Sequence, residues 1–233
     1  MLNIYKYIPL LSPMYNEVHR HYHSIKHVHN LTNMITTKSY LEKISPHKAL
    51  LYSNTSRHTP NGFEVDGQLM LLAWFHDCYY DPYLGSPGNE KISGNIFSAM
   101  TSGDVHSQDD QSLFFEVLSG IQLSGRHLSD VSEPTSPSGR PSLTNLIFMD
   151  LDMNGFSDNL EFTLNNTLVR AEYYKSSPLD YLKGRIKFLE TLLEKKQIYY
   201  TFDDVYEDRA RKNIEESLVA GRKLLDDSNG SSY

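Results

Sequence analysis

Ten histidines stand in this 233-residue chain, and five of them fall within eleven residues: His19, His21, His23, His27 and His29. On a helix His19, His23 and His27 recur every four residues and share one face. Neutral imidazole is a common ligand for zinc, iron, nickel and manganese. A solvated polar face is the ordinary alternative for such a run. A second group is the doublet His76–Asp77, which ends the apolar run "LMLLAWF". Burying two such groups costs several kcal/mol unless something satisfies them. They are therefore either a hydrogen-bonded pair or part of a metal site. Neighbours on a helix point about 100° apart, so the doublet can share an ion only if the helix end abuts it and other segments complete the set. "IFMDLDM" offers the carboxylates: Asp150 and Asp152 sit among Ile147, Phe148, Leu151 and Met153. A helix cap or an exposed polar position is the ordinary alternative for either acid.

The segments that must position these residues read as helices. "NEVHRHYHSIKHVHNLTNMITTKSYLEKI" carries Tyr22, Ile25, Val28, Leu31, Ile35 and Leu41 at helical spacing. "SPHKALLYSNTSRHTPNGFEVDG" reads as a loop with at most one helical turn. "GQLMLLAWFHDCYY" is apolar nearly all round and should be a central buried helix. "NEKISGNIFSAM" is amphipathic, and "SQDDQSLFFEVLSGIQLS" opens with Ser107 as N-cap and two acids in its first turn. Residues 129–142 are dense in Ser and Pro and should form a surface insertion. Helical pattern resumes with "LTNLIFMDLDM" and continues through three further segments to "DDVYEDRARKNIEESLVAGRKLL". The tail after residue 225 should fray. "KKQIYYTFD" is the best strand-like run, but one strand has no partner. The expected class is all-α, in a single domain over residues 1–233.

Composition narrows the partners. Hydrophobic residues make up 39% and charged residues 22%, the balance of a soluble globular protein. A net charge of -7 with no basic block disfavours duplex nucleic acid. No apolar run reaches the length of a membrane span. Pro9 and Pro13 interrupt an N-terminus that makes a poor signal peptide. The single cysteine, Cys78, can form no intramolecular disulfide, so a cytoplasmic location is expected.

The order H … HD … D, with the doublet ending a buried helix, resembles the HD superfamily of metal-dependent phosphohydrolases. The resemblance extends to "RHYHSIKHV", "LAWFHDCYYDP", "NEKIS", "IQLSGRH", "MDLDM", "VRAEY" and "RARKNIEESL", in the order of one bacterial-type branch, and covers about residues 14–221. It implies His27, His76, Asp77 and Asp152 as ligands to a divalent ion: manganese, iron, cobalt, nickel, zinc or magnesium. Asp150 is the lesser candidate within the D-x-D. It implies His23 facing the substrate or orienting a ligand. Glu90 would be a general base or hold a water, or else be only a first-turn acid. His127 and Arg126 would lie near a phosphate or second metal, and Arg20, Arg170 and Arg185 would be phosphate contacts or partners of acids such as Glu172. The reaction implied is hydrolysis of a small phosphorylated substrate, a nucleotide or related ester or anhydride. The chain departs from the pattern at "CYYDP", where many such enzymes carry a lysine soon after the doublet, and in longer loops at 53–66 and 129–142. A di-iron oxygenase on the same fold and a non-catalytic nucleotide-binding module are the alternatives.

Overall fold

The computed structural model describes residues 2–53, 62–128 and 141–230. Among them are ten α-helices and no β-strand: α1 (Ile8–Leu11), α2 (Ile25–Thr37), α3 (Pro46–Ser53), α4 (Gly62–Phe75), α5 (Gly88–Thr101), α6 (Gln108–Ser124), α7 (Leu143–Asp152), α8 (Asn159–Glu172), α9 (Pro178–Glu194) and α10 (Asp204–Gly230). The all-α class holds.

Helix α4 is the centre. Leu69 and every residue from Leu71 to Phe75 are buried, as an all-round apolar helix requires. It packs against α1, α2, α5, α6 and α7. Gly120 lets α6 come close to it, since a Cβ there would meet Leu72 Cδ2 and, at 2.6 Å, Asn145 Oδ1. Helices α9 and α10 pair, and α8 and α10 enclose the short 3₁₀ turn Asn154–Ser157 after α7. One principal core joins residues from Leu2 to Leu218.

The caps follow the chemistry of their residues. Ser107 accepts from the Asp110 amide at α6, Ser142 from Asn145 at α7, and Asp158 from Glu161 at α8, each satisfying an orphan N–H.

Several boundaries differ from expectation. The first histidine segment is not one helix: residues 17–24 are turns and bends, and α2 begins at Ile25. His19, His23 and His27 therefore share no helical face. The segment expected to be a loop holds the eight-residue α3 and the start of α4, with residues 54–61 outside the described part. Helix α4 ends at Phe75, so the doublet lies in the turn just beyond it. The expected frayed tail is helical as far as Gly230. Residues 129–140 of the Ser/Pro-rich insertion lie outside the described residues. The strand-like run makes only an isolated bridge, Ile44 with Phe202. No helix among the described residues is long and apolar enough to cross a membrane.

Candidate metal centre

Three elements bring the predicted ligands together: the first turn of α2 (His27), the turn after α4 (His76, Asp77) and the last residue of α7 (Asp152). The donor atoms of His27, His76 and Asp77 all lie within 4.8 Å of one another, and all three residues are buried. Asp152 joins them, with Oδ1 3.0 Å from His27 Nε2 and 3.5 Å from His76 Nε2. Its second oxygen, Oδ2, lies 3.0 Å from His127 Nε2.

His76 is the most informative member. Its Nδ1 lies 3.2 Å from the carbonyl oxygens of both Leu72 and Ala73. Those are acceptors, so Nδ1 carries the proton and donates. Burial opposes charge on the ring, but Asp77 and Asp152 outweigh it and raise the pKa well above its ordinary value. Without an ion a second proton is therefore favoured on Nε2, and an ion that displaces it meets a lone pair. Nε2 is fully buried and makes no hydrogen bond, although Asp77 Oδ2 is 3.0 Å away and Asp152 Oδ1 3.5 Å. Distance is satisfied and hydrogen-bond direction is not. A backbone carbonyl that takes the proton of one ring nitrogen, with the other nitrogen beside shared carboxylates, is the arrangement of a histidine metal ligand.

Electrostatics agree with the donor set. Burial disfavours both carboxylates in their charged form, but the imidazole of His76 more than offsets it and holds Asp77 below the usual range. Asp152 is held well below that range despite burial, through His76, His127 and His27. Both are ionised at neutral pH. Two imidazoles and two carboxylates fit a borderline divalent ion, which would take the place of the proton on His76.

Asp150, two residues before Asp152, faces away. It is buried and accepts from the amides of Tyr200, Thr201 and Phe202 and from the Thr201 hydroxyl. Of the two acids in the D-x-D, the cluster takes Asp152.

Around the centre opens a cavity of about 480 Å³, lined by His23, Glu90 and Asp152 among others. His23 stacks on Tyr80, with ring centroids 4.0 Å apart, and its Nδ1 lies 2.7 Å from Glu172 Oε2. Nε2 is then the nitrogen left for a ligand. Glu172 Oε1 also accepts the amides of His21, Tyr22 and His23. Those bonds to a distant carboxylate are why residues 21–23 are not helical. Burial opposes the charge on His23, but Glu172 outweighs it and raises the pKa. Burial likewise opposes the charge on Glu172, and His23 lowers its pKa on balance.

A pH window follows. A lowered acid contributes stability above its ordinary pKa, ~4.3, and loses it as pH falls through the native value. A raised base contributes fully below its ordinary ~6.5 and loses it as pH rises through the native value. The stability difference between wild type and Glu172→Gln, from urea unfolding, should peak between these limits and shrink on both sides. A difference flat from pH 3 to 9 would show that the pair is not ionic.

Glu90 stands in the first turn of α5, and its buried Oε2 has no hydrogen-bond partner among the described residues. Burial and the charge of Asp77 raise its pKa. A Cβ at position 125 would run into the Glu90 carboxyl and, at 2.6 Å, into Ser86 Oγ, so Gly125 makes room for it. His127 is held by Lys195, whose Nζ donates to the His127 carbonyl.

The arginines divide. Arg20 was expected at a phosphate, but all three of its guanidinium nitrogens donate to protein atoms: Nε to Glu17, Nη1 to the carbonyls of Asp77 and His23, and Nη2 to that of Cys78. It holds the doublet's turn against the His23 segment. Arg126 is exposed and absent from the cavity lining. Arg170 donates to the carbonyls of Tyr173 and Ser176. Arg185 lines the cavity. His19 contacts the Tyr80 carbonyl, at 3.0 Å, and His21 and His29 are exposed.

No family model, curated protein or solved structure matches this chain.

Proposed function

We propose that the chain is a metal-dependent phosphohydrolase of the HD type, acting on a small phosphorylated substrate such as a nucleotide or related ester or anhydride. The observation that carries this is His76 Nε2: buried, without a hydrogen bond, and facing two ionised carboxylates. His27, His76, Asp77 and Asp152 would hold the ion. A divalent ion bound there acidifies a water and polarises a phosphoryl oxygen.

The chain's own residues supply the rest. Glu90, its pKa raised by burial, accepts the proton that the attacking water loses. His23, pinned through Nδ1 by Glu172, presents Nε2 to the cavity and gives a proton to the leaving oxygen. The apolar walls around Phe156 and Phe162 keep bulk water from the phosphate.

The test is phosphate release from a panel of nucleotides and sugar phosphates, with each candidate ion added to chelator-treated protein. Release that EDTA abolishes is expected. Asp77→Ala should bind no ion by elemental analysis, because it loses a charge and a ligand together. Full occupancy in that variant would sink the ligand set. Two iron atoms per chain with no phosphate release would replace hydrolysis by oxygen chemistry.

A further inference from the structure

Arg185 is a cationic group of the cavity that the proposed reaction does not use. It projects from α9 into the lining. Its Nη2 donates to Asn166 Oδ1, while its buried Nε has no hydrogen-bond partner among the described residues. The guanidinium lies against two aromatic rings, 4.9 Å from the centroid of Phe188 and 5.8 Å from that of Phe156. The polar groups beside it are the phenols of Tyr181, Tyr22 and Tyr173. An arginine that serves structure is ordinarily paired, because a buried cation without a counter-charge is unfavourable. Among the described residues no carboxylate pairs with this one, and its side chain lines a cavity.

The same cavity reaches the metal centre. Asp152, Tyr22 and Arg185 all line it, and the Tyr22 ring is 5.0 Å from that of His27. The walls between are Phe156, Phe162, Phe188, Tyr173 and Tyr181. A volume of about 480 Å³ suits a small molecule rather than a single ion.

We infer that Arg185 is an oxyanion subsite, and that the cavity takes a substrate with a second acidic group, carboxylate or phosphate, joined by an apolar or aromatic body to the phosphate that is hydrolysed. The subsite rests on the phosphohydrolase reading only for the place of that scissile phosphate. A planar fork is suited to either oxyanion, since both accept two parallel N–H bonds. The aromatic walls suit the body between.

Two measurements separate the subsite from the reaction. The first is binding to metal-free protein in EDTA, by calorimetry, with benzoate, phenyl phosphate and neutral benzamide as probes. At least one of the anions should bind about tenfold or more tighter than benzamide, as charge-assisted hydrogen bonds imply, and which anion leads tells carboxylate from phosphate. Arg185→Gln should bind all three alike. Arg185→Lys keeps the charge without the fork and should retain part of the discrimination. It also serves where the glutamine variant does not fold. The second measurement is the ratio of kcat/KM for 4-carboxyphenyl phosphate to that for phenyl phosphate in the metal-loaded protein, a ratio independent of the folded fraction. It should be about tenfold or more in the wild type and near one in Arg185→Gln. Anion binding that depends on Arg185, with neither ester hydrolysed, would remove the reaction and leave the subsite standing. A wild type that does not tell benzoate or phenyl phosphate from benzamide, or an Arg185→Gln variant that still does, overturns the subsite whatever the turnover.

Discussion

His76→Gln is expected to give a folded protein with little phosphohydrolase activity and no response to metal. Glutamine fills much of the imidazole's volume, and its amide can donate to the carbonyls of Leu72 and Ala73 that now receive Nδ1–H. It cannot place a basic nitrogen lone pair where Nε2 stands. In chelator-treated protein the two forms should therefore differ by no more than about 1–2 kcal/mol. With metal they should separate. An ion at a hundred times its dissociation constant stabilises the native state by about 2.7 kcal/mol, and loss of a direct ligand should weaken affinity by about 100-fold or more, beyond what outer partners do. The wild-type melting point should rise with added ion and the variant's should not. Turnover should fall in step with affinity, and EDTA should lower the variant's residue no further. Were the doublet merely a structural pair, the variant would lose stability without metal and keep chelator-sensitive turnover in proportion to what remains folded. A variant stabilised by the ion as much as the wild type would show that His76 is no ligand.

The parts of this molecule that were legible in the sequence are those in which one segment decides its own environment. Helix α4 is apolar on every side, and such a helix has nowhere to go but the centre. Ser107 and the acids after it announce the start of α6 locally. The candidate ligand set rests on the resemblance, since the residues alone say only that a buried His–Asp doublet needs a partner, hydrogen-bonded or metal. Which acid of "DLD" faces the cluster was not legible. Residues two apart on a helix point about 200° from each other, so one must turn away, but the sequence alone does not say which side holds the segment at 200–202. Residues 17–24 were misread for a similar reason. The periodicity of "HRHYHSIKH" is helical, yet Glu172, 149 positions away from His23, takes its amide and those of two neighbours. That carboxylate left a faint signal: Phe162, Asn165, Val169 and Glu172 form one stripe along α8, the first three line the cavity, and Glu172 is fully buried. An acid on an inward stripe has a partner elsewhere. The resemblance offers Arg20 as a phosphate contact or a partner of acids, and only the folded chain brings the carbonyls of Asp77 and Cys78 to its guanidinium.

The division of labour in "DLD" yields the other large effect. Asp150→Ala should lose about 3–5 kcal/mol of stability in metal-free protein, whereas Asp152→Ala should lose less, about 1–3 kcal/mol. Asp150 is 1% exposed. Its carboxylate takes four bonds, at 2.8 Å from the Tyr200 amide, 2.5 and 2.6 Å from the Thr201 amide and hydroxyl, and 3.1 Å from the Phe202 amide. Burial pushes its pKa up to about 6 against the pull of those bonds. Alanine would leave three amides and a hydroxyl without an acceptor in the core, and each buried orphan costs about 1–3 kcal/mol, less than additively. The loss would spread, because Ile198 to Phe202 are all buried and Tyr199 Oη donates to the Met153 carbonyl beside Asp152. Asp152 itself borders the cavity and meets imidazoles rather than buried amides. Its removal gives up its attraction to them, but it relieves charge crowding with Asp77 and opens no orphan amide. Urea unfolding of both variants in EDTA, then with metal, reads the two roles separately. Asp152→Ala should stand clearly above Asp150→Ala without the ion and gain nothing from it. Asp150→Ala should start low and still gain from the ion in the fraction that folds. Equal losses for the two variants in EDTA would mean that both acids are structural and that the centre at the end of α7 is no ligand site.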